Sequence, residues 1–384
     1  MKAVILAGGE GSRLRPMTYS RPKVMIPVAN IPIIEYVIDA LLSNGIRDIS
    51  VVVGYRREQV IRHLNQLDES INVILQEKQL GAAHALKCAE SVLEDDFLLL
   101  PGDNYIDSAS IAKIKDSKNA MLVKDHPYPS NFGVVLLKDD HVIDIIEKPL
   151  DSPSFTVSTG IFALTPEIFD FLDGKELPEA VTSMIATRNV KIRAVFAEEW
   201  HDAVYPWDLL SFNAQILRHL TPQKSGKISG NVLISGPVRI GEGTRIGPNT
   251  TIEGPVIIGD NCTIGPNACI SPNTSIGSRV HVEPFTVLGN SLILDDVTVG
   301  SHSRIVDSVI GEGTRLLDHT STCTGVFTTE EEGKLIKGKF GVIIGDRVHS
   351  APFTVFDHCM IGNNVTIDEG RTLKGLIPDH VVVK

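Results

Sequence analysis

The chain is short of positive charge. Its 36 lysine and arginine residues face 47 aspartate and glutamate residues over 384 positions, a formal net charge of −11, which excludes a general grip on nucleic acid phosphates or an anionic membrane. Any phosphate site must be local. Cysteine is scarce: Cys88, Cys262, Cys269, Cys323 and Cys359 are odd in number and show no C-x-x-C spacing, so neither a disulfide framework nor a zinc knuckle is indicated and a reducing cytoplasm is the expected location. Long apolar runs are missing too. Ala3–Ala7 is too short for a signal peptide and nowhere do about 18 apolar residues run together, so neither a membrane span nor export is expected. What is present, 42% hydrophobic and 22% charged residues, is ordinary globular composition, and the length exceeds the roughly 250–300 residues at which single cores stop growing. Two domains are expected.

From Lys2 to about Leu220, β-branched runs alternate with helical stretches: Ala3–Leu6 then Ile33–Ser43, Ile49–Val53 then Arg57–Asn65, Val73–Leu75 then Ala82–Val92, and Phe97–Leu100. Strands fed by crossover helices pair in parallel, and ligands then sit beyond their carboxyl ends. After a polar linker at 221–230 the helical periodicity stops. Counting by six from Ile234 gives Ile240, Ile246, Ile252, Ile258, Ile264, Ile270, Ile276, Val282, Leu288 and Leu294. With about a quarter of residues aliphatic, eleven such hits in a row have odds of about one in four million, so the period is real. It predicts a parallel β-helix over 231–384, each hexad forming one short side with its aliphatic residue turned to the axis. The spacing becomes ragged at Val299, Ile305, Ile310 and Leu316, and the polar stretch Gly325–Gly341 reads as an outlooping insertion. The acceptor-like triplets at Asn249, Asn261, Asn273 and Asn364 read as corner composition of the repeat rather than glycosylation sites.

Directly after the first strand comes Leu6-Ala-Gly-Gly-Glu-Gly-Ser-Arg-Leu-Arg-Pro16, followed by Thr18 and Ser20-Arg-Pro-Lys-Val-Met-Ile-Pro27. Glycines at 8, 9 and 11 let backbone N–H groups approach phosphates, and Arg13, Arg15, Arg21 and Lys23 invert the local charge as a triphosphate requires. The dinucleotide pattern G-x-G-x-x-G fails, no G-x-x-x-x-G-K-[ST] occurs, and a near miss at Gly333–Phe340 ends in Phe.

These residues resemble the sugar-1-phosphate nucleotidyltransferase family, whose opening reads L-A-G-G-x-G-x-R-L-x-P-x-T followed by R-P-K-x-x-x-P. Further elements follow in that family's order: Gln76, Leu80-Gly-Ala-Ala-His-Ala85, Pro101-Gly-Asp-Asn104, Asn131-Phe-Gly-Val134, Glu147-Lys-Pro149, Ser158-Thr-Gly-Ile161 and Trp200-His-Asp202 before Tyr205-Pro-Trp-Asp208. The resemblance implies an α/β Rossmann-like nucleotidyltransferase domain over 1–220, then an all-β left-handed parallel β-helix of hexapeptide repeats. Leu6, Ala7, Gly8, Gly9 and Gly11 would wrap the nucleotide, with Arg13 on the β/γ-phosphates and Lys23 on the α-phosphate as catalytic groups. Gln76 and Gly81 would read a uracil or thymine base, although Ala82 replaces the threonine common in close relatives. Asp103 and Asp202 would hold Mg²⁺, with Asp208 the competing carboxylate. Gly133, Glu147, Lys148 and Thr159 would bind a hexose 1-phosphate, and Ser158, where many enzymes for N-acetylated sugars carry Asn, favours glucose 1-phosphate.

The implied reaction joins UTP or dTTP to the sugar phosphate and releases pyrophosphate. Proteins with this two-domain plan resemble archaeal bifunctional enzymes whose β-helix acetylates an amino sugar phosphate with acetyl-CoA. Here Ser301-His302-Ser-Arg-Ile-Val-Asp307 keeps the His and Asp of that motif but neither its Tyr nor its Gly, and Leu317-Asp-His-Thr320 stands in place of its glycine turn. A nucleotidyltransferase with a structural or regulatory β-helix is therefore the leading expectation. The bifunctional enzyme and a non-catalytic nucleotide-sugar-binding subunit are the alternatives. A homo-oligomer built through the β-helix, a trimer or a multiple of it, is expected, with no nucleic acid or membrane partner.

Overall fold

A computed structural model describes residues 1–67, 69–331 and 334–384, and the statements below concern those residues. The chain forms two compact units. The first comprises Met1–Glu10, Arg21–Met25 and Pro32–Asp202, the second Gly11–Ser20, Ile26–Ile31 and Ala203–Lys384.

In the first unit, strands Ile71–Leu75, Ile49–Val53, Lys2–Ala7 and Phe97–Pro101 lie side by side in that order and run parallel. Beyond them the sheet becomes mixed. Thr156–Leu164 runs antiparallel to Phe97–Pro101, and Ala120–Asp125, Ile192–Phe196, His141–Glu147 and Gly133–Lys138 complete nine strands. The three inner parallel strands, Ile49–Val53, Lys2–Ala7 and Phe97–Pro101, read as nearly unbroken apolar runs because both of their faces are covered. Ile5, Val51, Leu98 and Leu100 meet Ile34, Val37 and Ile38 of helix Ile33–Leu42 on one face. Val4, Val52, Phe97 and Leu99 meet Leu86 of helix Gly81–Cys88 and Met184 of helix Leu177–Arg188 on the other. Truncating one such residue, as in Leu99→Ala, costs about 2–5 kcal/mol. The helical reading of Ala82–Val92 is divided in the structure: the helix stops at Cys88 and a 3-10 turn, Glu90–Val92, follows. The change of winding brings Ala89 and Leu93 into the same apolar cluster as Leu86.

In the second unit the chain winds into a parallel β-helix with three strand faces. Each strand pairs with the one a coil further on, as in Ile234↔Ile252, Ile240↔Ile258 and Ile246↔Ile264. The expected hexad positions from Ile240 to Leu288 share one buried core, with Ile234 packed against it. Leu294 is buried but leaves that stack, and Ile293 takes its place opposite Ile276. The cause is a change of coil length. Corner bonds span 18 residues at Glu242–Asp260 but 17 at Ser278–Asp295 and Ser301–Asp318, which accounts for the ragged spacing. Asn249, Asn261, Asn273 and Asn364 turn corners with φ of 59°, 56°, 62° and 55°, a conformation asparagine tolerates.

The insertion is a two-stranded antiparallel ribbon, Gly325–Glu331 against Lys334–Phe340. Glu332 and Gly333, the latter the first residue of the near-miss phosphate pattern, lie outside the described residues. The coils stack past the ribbon, since Val309 and Ile310 pair directly with Ile343 and Ile344. At its base the Trp207 indole stacks on Phe340 at 5.6 Å, and a side chain at Gly338 would collide with that indole. Among the described residues no helix is long and apolar enough to cross a membrane.

Candidate active site

Gly8 and Gln76 leave the carboxyl ends of strands Lys2–Ala7 and Ile71–Leu75. A Cβ on Gly8 would collide with the Gln76 amide oxygen, so glycine there lets the glutamine lie against the turn, where it is 3% exposed. Gln76 Nε2 donates to Gly81 O at 3.2 Å and meets His84 Nδ1 at 3.0 Å. With both amide protons engaged, Oε1 is left as an acceptor. Gly81 opens its helix at φ 89°, where a side chain would be strained. Around Gly9 there is open space. The sequence contained His84 in its motif but gave no reason to assign it a role.

Lys23 lies on a short turn, Lys23–Met25, and is 8% exposed. Its ammonium contacts Asp202 Oδ1 at 2.6 Å and Asp103 Oδ2 at 2.9 Å. These carboxylates, distant in sequence, meet because strand Trp200–Asp202 pairs with Asn104–Ile106, placing Asp202 opposite Asn104. Burial pulls the Lys23 pKa down, but the charges of Asp103 and Asp202 outweigh it and hold the group above the ordinary lysine range. Asp208, at the start of helix Asp208–Leu217, accepts from Val204 N at 3.1 Å and Tyr205 N at 2.8 Å, closing the turn after Asp202.

On the mixed side of the sheet, Gly133 pairs with Glu147, and Lys148 Nζ lies 3.2 Å from Glu147 Oε1. The Thr159 hydroxyl donates to Leu122 O at 2.8 Å, so its proton is used within the fold. Asn104, to which the sequence assigned no role, donates to Thr159 O at 3.2 Å and is 2% exposed; it links the Asp103 turn to the Thr159 bend. Near Gly133, Phe132 packs edge-on to Trp200 at 5.2 Å and to His126 at 4.7 Å. Burial holds His126 below the usual histidine range.

Gly11 and Arg13 belong to the second unit, whereas Leu6, Ala7, Gly8, Gly9 and Lys23 belong to the first. Gly11 turns with φ 71° into the 3-10 turn Ser12–Leu14 that carries Arg13, and the Thr18 hydroxyl donates back to Gly11 O at 2.9 Å.

Among the described residues no group of three or more His, Cys, Asp or Glu side chains is placed to hold a metal. Asp103 and Asp202 nevertheless share one cation, and the Asp103 side chain is 36% exposed. Two hard carboxylates with an open side fit Mg²⁺, which takes few protein ligands when phosphates supply the rest. Together these groups present an amide-oxygen acceptor, a protonated ammonium and a dicarboxylate pair. They offer no side-chain nucleophile paired with a general base, and a displacement between phosphates needs none.

The profile described as Nucleotidyl transferase matches residues 2–218, and one described as GMPPB C-terminal domain matches residues 252–377. The "Bifunctional protein GlmU" of Methanococcus maripaludis strain C5 is 37% identical over 96% of this chain and 95% of its own. The "Glucose-1-phosphate thymidylyltransferase" of Streptomyces antibioticus is 32% identical over 64% of this chain and 74% of its own. Among solved structures, a Bacillus anthracis protein assigned as a glucose-1-phosphate thymidylyltransferase is 26% identical with a TM-score of 0.52, covering 58% of this chain and 98% of that one. With the profile spanning more than half its length and a relative aligned nearly end to end, the chain belongs to the nucleotidyl transferase family.

Proposed function

We propose that the protein transfers a nucleotidyl group from UTP or dTTP to a hexose 1-phosphate, glucose 1-phosphate foremost, releasing pyrophosphate. The observation that carries this reading is the Lys23 ammonium held between Asp103 and Asp202 at the carboxyl edge of the parallel strands. A phosphate oxygen of the sugar attacks the α-phosphorus, the bond from that phosphorus to the bridging oxygen breaks, and pyrophosphate leaves with the electron pair. Sugar phosphates are already ionised at neutral pH, so no base is required. Lys23 neutralises charge growing on the α-phosphate, Arg13 binds the β/γ-phosphates, and Leu6, Ala7, Gly8, Gly9 and Gly11 line the nucleotide. Gln76 and Gly81 take the base. Gly133, Glu147, Lys148 and Thr159 take the sugar phosphate, Thr159 through its backbone. Mg²⁺, held by Asp103 and Asp202 together with substrate phosphates, supplies further charge neutralisation when bound.

In this reading residues 1–220 form the nucleotidyltransferase domain, 221–230 the linker and 231–384 the β-helix. The protein works in the cytoplasm as a homo-oligomer, a trimer or a multiple of it, assembled through the β-helix. A second reading, acetylation of glucosamine 1-phosphate by acetyl-CoA, is favoured by the bifunctional relative that aligns over nearly the whole chain.

The test is pyrophosphate release with Mg²⁺ from UTP, dTTP, ATP and GTP against glucose, N-acetylglucosamine and glucosamine 1-phosphates, with Asp103→Ala as control. Release confined to pyrimidine nucleotides supports the reading and names the sugar. Release with purines overturns the role of Gln76, and silence throughout favours a non-catalytic nucleotide-sugar-binding subunit. Thiol release from acetyl-CoA in the same preparation decides the second reading.

A further inference from the structure

Two polar side chains approach Gly81. One is Gln76, whose amide donates to the Gly81 carbonyl. The other is the carboxylate of Glu176. A Cβ at residue 81 would lie 3.0 and 3.1 Å from the two carboxylate oxygens and 3.5 Å from the carbon between them. Both oxygens are nearer than that carbon, so the edge they form faces the space a side chain at residue 81 would fill. Gln76, Gly81, His84 and Glu176 all belong to the first unit.

Glu176 stands at the N-cap of helix Leu177–Arg188, with an extended backbone at φ −76° and ψ 158°, yet its side chain accepts no hydrogen bond from the first turn. N-caps favour Ser, Thr, Asp and Asn, whose shorter side chains reach those N–H groups. Glu176 is exposed, and among the described residues no hydrogen bond or ion pair engages its carboxylate. Two acceptor oxygens are thus directed at the residue beside the Gln76 amide rather than at the helix they precede.

We propose that Glu176 is a specificity-determining residue that accepts the 2′- and 3′-hydroxyls of the nucleotide's ribose, so that UTP is preferred to dTTP. The proposal rests on the reading that Gln76 and Gly81 take the base. An anion at this place needs donors. In a uracil or thymine nucleotide the one ring N–H goes to the Gln76 oxygen, and the carbonyl oxygens on either side of it repel a carboxylate. The triphosphate repels it as well. What remains is the ribose, whose neighbouring hydroxyls match the two oxygens of one carboxylate, and acidic side chains read ribose hydroxyls in dinucleotide sites for the same reason. Deoxyribose offers only one of the two.

The experiment uses the full chain, with Glu176→Ala and Glu176→Gln beside wild type. Pyrophosphate release with Mg²⁺ and the sugar 1-phosphate that supports turnover is measured for UTP and 2′-deoxy-UTP, which share a base, and binding of both is read by calorimetry. Wild type should favour UTP by about tenfold or more in kcat/KM, as loss of one bond to a charged acceptor predicts. In Glu176→Ala the ratio should fall to within about twofold, the loss being larger for UTP than for 2′-deoxy-UTP. Glu176→Gln, which keeps one acceptor oxygen, should fall between, and KM for the sugar phosphate should not change. Equal use of the two nucleotides by wild type, an unchanged ratio in folded Glu176→Ala, or a loss that appears as a raised KM for the sugar phosphate overturns the proposal. If Glu176→Ala fails to fold, Glu176→Gln decides. If UTP is bound but not turned over, the proposed reaction falls while the two binding constants still test Glu176. Preference for a purine nucleotide overturns the base reading, and comparison of that nucleotide with its 2′-deoxy form then decides the role of Glu176. A chain that binds no nucleotide removes both.

Discussion

His84 Nδ1 takes one amide proton of Gln76 at 3.0 Å while Gly81 O takes the other at 3.2 Å, so the glutamine can offer a base edge only its oxygen. Uracil and thymine present an N–H to such an acceptor; cytosine presents a bare ring nitrogen at the same position. His84→Ala frees the amide to turn over. The preference for UTP or dTTP over CTP, as a ratio of kcat/KM values, should then fall by about tenfold. An unchanged ratio would show that His84 does not set the amide's orientation.

Lys23→Ala should lower turnover by about 10²-fold or more, the loss that follows removal of one charge-stabilising donor, and single-turnover rates would show whether the chemical step is what slows. Its pKa is raised in the folded state, so its contribution to stability is fully present below the unfolded lysine value of about 10.4 and is lost as pH rises through the higher folded value. The melting-temperature difference between wild type and Lys23→Met should therefore stay flat from pH 7 to about 10. A difference that shrinks across that window would contradict the coupling to Asp103 and Asp202.

His126 gives the opposite sign. Burial depresses its folded pKa, so its contribution is present above the unfolded histidine value of about 6.5 and fades as pH falls through the lower folded value. Melting curves at pH 7.5 and 5 should show a smaller acid-induced drop for His126→Phe, which keeps a ring against Phe132 and Trp200, than for wild type. Equal drops would assign the acid sensitivity elsewhere.

The parallel strands and the β-helix were legible because burial leaves a period in the sequence. The hexad count located the stack from Ile234 to Leu288 and missed by one at Leu294, since a coil can shorten by a residue without changing its composition. Lys23, Asp103 and Asp202 stood out through motifs, and the structure brings those three together. What stayed hidden were the partners. Asn104, His84 and the bond between Ser20 and Asp346, residues 326 apart in sequence, follow no period, and an ordinary polar residue carries no sign that its second polar atom reaches another segment.

The ribbon at Gly325–Phe340 leaves the β-helix and returns to it between neighbouring coils. The Glu312–Asp346 corner bond, spanning 34 residues, keeps the geometry of the corner bonds that span 17, so the solenoid's register does not record the excursion. This makes the ribbon a graft point. Residues added to or removed from it would change how far it reaches into solvent while leaving every inward side chain of the stack in place, so the rod can vary what it presents at that position without altering its own core.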